Sequence, residues 1–155
     1  MKKPILLLLS ILFLANYISA QEVVYKKGKY ISRENGKPYT GIYKEYSSSK
    51  ILIAETGIKD GILDGISTIF YPAGTKKEIR SYQAGLKHGT WTTWNEAGMT
   101  TAEANFVNGK KDGNWFVWDD KGIKRYEMFY VNGEKKGIWI IRDENGKEIS
   151  REDFK

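Results

Sequence analysis

Few side chains in this sequence can do covalent chemistry. Its 155 residues contain one histidine, His88, and no cysteine. That leaves no Cys–His dyad and no cluster of zinc ligands. A serine triad would have to recruit His88, and the chain has no Gly-x-Ser-x-Gly turn to expose a nucleophile. His88 stands just before Gly89, where Asp64, Asp112 and Lys136 stand before other glycines of the same spacing. A position that takes an acid, an imidazole and an amine reads as a solvated strand start rather than a general base.

Carboxylates are the next candidates. Glu103 and Glu127 would lie two strands apart on a sheet, roughly 9–10 Å between backbones. Inverting glycosidases hold their carboxyls about 6.5–9.5 Å apart, so geometry alone admits the pair. Their equivalents, however, are Glu55, Ile79 and Arg151. That is the variability of surface charge, and nothing supplies an apolar cleft to raise one pKa. The expectation is no enzyme, no cofactor and no metal site.

Two rows remain as binding candidates. Lys87, Lys111 and Lys135 form a basic row beside the Asn-Gly turns. It fits solvated turn lysines, or a contact to phosphates or an anionic envelope surface. Tyr46, Phe70, Trp94 and Trp118 form an aromatic stripe. Rings in a line either shield the sheet beneath them or stack on a glycan or a protein partner. Nucleic acid is not expected, given the modest net charge and the lack of any recognised motif.

The elements that would position these rows come from a repeat. Gly41, Gly65, Gly89, Gly113 and Gly137 follow one another at intervals of 24 residues, a period that marks a repeat architecture. Within each unit two turns recur. Asn108-Gly109 and Asn132-Gly133, with Asp60-Gly61 and Ala84-Gly85 as variants, are two-residue hairpin signals. Tyr71-Pro72-Ala73-Gly74, Asn95-Glu96-Ala97-Gly98, Asp119-Asp120-Lys121-Gly122 and Asp143-Glu144-Asn145-Gly146 have type I chemistry, and Ser47-Ser48-Ser49-Lys50 holds the same place. The predicted fold is therefore all-β: a single-layer, twisted antiparallel meander of about ten strands, built from five hairpin repeats over residues 41–155.

Register is read from the turns. A Val107–Lys110 pair and a Trp118–Ile123 pair across a four-residue loop together reproduce the 24-residue advance. An Asp119–Ile123 pair across a three-residue loop falls one residue short unless each repeat carries a bulge. The four-residue loop is the favoured reading. It puts the repeat glycines on one face with Tyr43, Ser67, Trp91, Trp115 and Trp139, and with Ile58, Tyr82, Phe106, Tyr130 and Phe154. In this register Phe106 is diagonal to Gly113, so an aromatic ring covering bare backbone is the reason favoured for glycine there. The opposite face is mixed and carries the aromatic stripe, Ile42, Ile66, Ile138, Glu55, Glu103 and Glu127.

The ends differ from the repeats. Residues 1–20 read as a secretory signal peptide: basic Lys2 and Lys3, an apolar run from Ile5 to Ala15, and small residues before a cleavage point after Ala20. The run is too short to span a membrane, and no cysteine is present to carry a lipid anchor. Without Lys2 and Lys3 the 25 basic residues become 23 against 19 acidic, a net charge of +4. No transmembrane segment would remain, and the protein would be periplasmic or secreted. Residues 21–40 read as an irregular capping half-repeat.

Asn108-Gly109-Lys110-Lys111-Asp112-Gly113-Asn114-Trp115-Phe116-Val117-Trp118 resembles the bacterial MORN-repeat variant, and the resemblance extends over about 35–155. It implies this fold and a binding or scaffolding role. Proteins with such repeats are often labelled antitoxins, the YwqK type. The function expected is an exported, non-enzymatic interaction or scaffold module of the cell envelope with a protein partner. The alternatives are an antitoxin-like or immunity protein that neutralises a toxin, and an envelope glycan-binding module.

Overall fold

The structure, a computed structural model, describes residues 22–155; the expected signal peptide lies outside the described residues. The first two strands, β1 (Val23–Lys26) and β2 (Lys29–Ser32), form a separate hairpin. The rest make one open antiparallel sheet, which begins with β3 (Gly41–Tyr46), β4 (Leu52–Lys59), β5 (Ile62–Phe70) and β6 (Lys76–Gln83). It continues through β7 (Leu86–Lys87), β8 (Gly89–Trp94), β9 (Thr100–Val107) and β10 (Lys110–Trp118). It ends with β11 (Lys124–Val131), β12 (Glu134–Arg142) and β13 (Glu148–Phe154). Spatial order follows chain order, so the sheet is the expected meander. It has 11 strands rather than about ten because β7 and β8 occupy the place of one strand, interrupted at His88.

The two turns form as their residues dictate. Asn108 and Gly109 have φ of 49° and 82°, and Asp60-Gly61, Ala84-Gly85 and Asn132-Gly133 repeat the pattern. Two positive φ angles define the type I′ hairpin, whose twist suits the flanking strands. Each such turn also bonds to the chain just beyond the turn before it. The N–H groups of Gly61, Gly85, Gly109 and Gly133 donate to the carbonyls of Tyr39, Leu63, Lys87 and Lys111, each at 2.8 Å.

The other loop corrects the favoured register. Asp119 N–H donates to Ile123 O at 3.0 Å, so the loop has three residues, Asp120 to Gly122. The Asp119 carboxylate accepts from Lys121 and Ile123 N–H, both at 3.0 Å, which makes the tighter closure favourable. The missing residue is recovered by a bulge: Val117 pairs with Tyr126 and Trp118 with Lys124, leaving Arg125 unopposed.

A second irregularity occurs at Gly65, Gly89, Gly113 and Gly137, whereas Gly41 on the edge strand β3 pairs regularly with Ile58. Lys111 pairs with Phe106, but the next pair is Trp115 with Ala104, so Asn105 alone opposes Asp112, Gly113 and Asn114. Gly113 adopts φ 91°, a conformation that costs a side-chain-bearing residue, and the other four repeat glycines also have positive φ. The backbone conformation, rather than a ring lying over bare backbone, is therefore the reason for glycine here. Phe106 faces Lys111, the aromatic directly opposite Gly113 is Tyr130 on the following strand, and a Cβ on Gly113 would stand 3.4 Å from Asn105 Cβ.

Gly113→Val is expected to lose about 2 kcal/mol or more of stability. Thr92→Val, on the mixed face, should stay within about 0.5 kcal/mol. Urea unfolding of both variants checks this, and equal effects would remove the bulge from its structural role.

Candidate functional site

The two faces of the sheet are built differently, and that difference defines what can bind. On one face the rings of Tyr82, Trp91, Phe106, Trp115, Tyr130, Trp139 and Phe154 follow one another, neighbours 5.0–5.4 Å apart and tilted or edge-on. Ring pairs prefer this geometry, and each pair adds about 0.5–1.5 kcal/mol beyond the area it buries. Tyr25, Tyr30 and Tyr43 form a separate, shorter line at the N-terminal end, at 4.9 and 5.1 Å.

The bulge completes this ladder. An indole N–H needs an acceptor when covered, and at the shifted register each indole takes a backbone carbonyl of the neighbouring strand. Trp115 Nε1 donates to Asn105 O at 3.0 Å, Trp91 to Ser81 O at 3.0 Å and Trp139 to Phe129 O at 3.1 Å.

The basic row belongs to the same face. Lys111 Nζ stands 4.2 Å from the Trp115 ring centre and 4.7 Å from that of Tyr130. Lys87 stands over Trp91 and Phe106 at 4.5 and 4.9 Å, and Lys135 over Trp139 and Phe154 at 4.4 and 4.9 Å. These lysines are therefore the outer layer of the ladder, worth about 0.5–1 kcal/mol for each exposed cation–π contact. Neither sequence reading of the row included this role.

The mixed face has no such cover. Tyr46, Phe70, Trp94 and Trp118 all lie there, Tyr46 exposed and the other three half-buried. Trp118 meets the Phe116 ring edge-on at 5.7 Å, and Lys124 lies over Phe116 at 4.3 Å. The fifth repeat places Arg142 where the stripe would continue. Beside the stripe runs a row of Ile42, Ile66, Thr90, Asn114 and Ile138, in which Ile42, Ile66 and Ile138 are 56%, 53% and 50% exposed. Thr90, Asn105 and Asn114 form its polar centre, Thr90 Oγ1 donating to Asn105 Oδ1 at 2.7 Å and Asn105 Nδ2 to Asn114 O at 2.6 Å.

Glu103 and Glu127 both oppose Phe116 in register. Burial pushes the Glu127 carboxyl up, but ion pairs with Arg142 and Lys124 outweigh it and hold the group below its ordinary value. A glycosidase acid requires the reverse shift. Among the described residues, no group of three or more His, Asp and Glu side chains is placed to hold a metal ion.

His88 corrects a reading of its position. At Thr40, Asp64 and Asp112 the slot before the repeat glycine is a turn cap, not simply a solvated strand start. Thr40 Oγ1, Asp64 Oδ2 and Asp112 Oδ2 accept at 2.9 Å from Asp60, Ala84 and Asn132 N–H, the first residue of the turn 20 positions later. In His88 the corresponding Nδ1 is buried without a hydrogen-bond partner. The recurrence of Thr and Asp at this spacing was the available signal.

Residues 63–84 match the family described as MORN repeat variant. The matched stretch is one repeat long and runs from β5 through β6 to the turn at Ala84. Repeats of this kind are protein- or membrane-binding modules rather than catalytic ones. No curated protein matches the chain.

His88→Asp is expected to supply the missing cap to Asn108 N–H and add about 1 kcal/mol of stability at neutral pH. A melting temperature unchanged or lowered would show that the slot is not a cap there. Glu127 has a depressed folded-state pKa, so its contribution is present above the ordinary glutamate range and lost as pH falls through the folded value. The stability gap between the protein and Glu127→Gln should be open at neutral pH and close in acid; a gap independent of pH would remove the ion pairs as its cause.

Proposed function

We propose that the protein is an exported, non-enzymatic interaction module of the cell envelope that binds another protein through the mixed face of its sheet. One observation carries this reading. Apart from Tyr126, 41% exposed, the ladder face of the later repeats is covered by its own rings and lysines, while the opposite face leaves Ile42, Ile66 and Ile138 half exposed beside a row of aromatic side chains. Exposed apolar side chains rimmed by polar ones mark contact surfaces. The match of residues 63–84 to a repeat used for binding supports the same class of function.

The antitoxin-like reading uses the same face and differs in the partner, a cognate toxin encountered outside the cytoplasm. Export follows from the sequence pattern of residues 1–20 and predicts a recovered chain that begins at Gln21. The glycan reading draws on Trp94 and Trp118, which stand two strands apart on this face, about 9–10 Å between backbones.

Photo-crosslinking side chains placed at Ile66 and Ile138 in the native cell should capture one specific protein, and the same group at Tyr126 on the ladder face should not. Ile66→Asp with Ile138→Asp should abolish the capture without lowering the melting temperature. Equal capture from both faces, or none, would overturn the assignment. Retention on a glycan array that is lost with Trp94→Ala and Trp118→Ala would replace the protein partner with a sugar.

A further inference from the structure

The two ends of the sheet are complementary to each other. At the N-terminal end, β1 and β2 dock on the main sheet through few backbone bonds. Tyr30 N–H donates to Gly61 O at 2.9 Å, and Ile31 bridges Pro38. Val24 and Ile31, partners in register, line a cavity of about 480 Å³ together with Lys26, Lys27, Lys29 and Arg33. All four cations are exposed and none is in an ion pair. Across 22–37 there are five cations against two carboxylates.

The C-terminal end has the opposite character. Strand β13 is an edge strand, paired only with β12. Its Ile149 is 62% exposed, Glu148 is held by Arg151, and Glu152 and Asp153 are exposed without an ion pair. Across 143–155 there are five carboxylates against three cations. Two copies of β13 laid edge to edge would bring like charges together, which discourages a symmetric pairing.

We propose that the N-terminal cavity receives the C-terminal strand of a second copy of this chain, giving a head-to-tail assembly. Ile149 meets the apolar floor of Val24 and Ile31, and Glu152 and Asp153 meet the cationic rim. The contact joins two different surfaces, so it generates an open chain of subunits unless the rotation closes a ring. It uses the ends of the sheet and leaves the mixed face free, so it stands apart from the partner-binding reading above.

Sedimentation velocity of the protein as recovered from the cell tests this over a concentration series. The average mass should rise past that of a dimer at low salt and fall at high salt, because the attraction is between exposed charges. Lys27→Glu with Arg33→Glu makes both ends acidic, and Glu152→Lys with Asp153→Lys makes both ends basic. Each charge-swapped chain alone should associate at least tenfold more weakly, and mixing the two should restore association. All four substitutions are on exposed side chains, so melting temperatures close to that of the unaltered protein confirm folding. A monomer at every concentration, a dimer that grows no further, or swaps that leave association unchanged would each overturn the proposal.

Discussion

The register shift at the repeat glycines from Gly65 onward is the constraint on which the rest of the structure depends. Opposite Gly113 it takes Asn105 out of one-to-one pairing with β10, and the Trp115 indole donates to the Asn105 carbonyl. With the indole pinned, its ring lies where Phe106 and Tyr130 can meet it on either side. Lys111, two residues before the glycine, is thereby set over the same rings. One backbone conformation, tolerated only by glycine at low cost, thus organises a hydrogen bond, a ring ladder and a cation layer in every later repeat.

A single sheet has no second layer to bury one of its faces. This chain meets the difficulty sideways: the rings cover one another along the sheet, and long lysine stems close the outer surface. Phe106 and Tyr130 reach 7% exposure by this means alone. The cover is one-sided, and an array of short hairpins gains it without disulfides, consistent with a chain that has no cysteine. The opposite face is left without this cover.

Much of this was legible in the residues. The 24-residue glycine spacing gave the repeat, and Asn-Gly and Asp-Gly gave the hairpins, because those pairs alone accept two positive φ angles easily. Alternation separated Trp115 from Trp118 correctly. The loop length was misread because the arithmetic of period and register has two solutions, and hydrogen bonds from Lys121 and Ile123 to the Asp119 carboxylate decide between them. The glycines were explained by packing when the cause is backbone geometry, since a bulge leaves no mark in the alternation of side chains several residues away. The lysine row is legible, but its place over the rings is not. Each lysine covers a tryptophan four residues along and a ring of the next strand, and the register shift at the glycine between lysine and tryptophan sets them on one face. The caps from Asp64 and Asp112 reach 20 residues along the chain, and pattern matching within one repeat does not register them.

Ser67 occupies the place that Trp91, Trp115 and Trp139 hold in later repeats, and its hydroxyl meets that of Thr56 at 2.8 Å in a buried contact. The line of rings is therefore broken between Tyr43 and Tyr82. In an array whose units touch only their neighbours, stability is a sum of unit terms and junction terms. The junction between Tyr43 and Tyr82 is filled differently: Ile58 and Ser67 stand where rings stand in the later repeats, with Thr56 beside them, and all three are buried. Exchanging one indole for one hydroxyl thus changes what holds two neighbouring units together, from a stack of rings to a compact aliphatic and hydroxyl cluster.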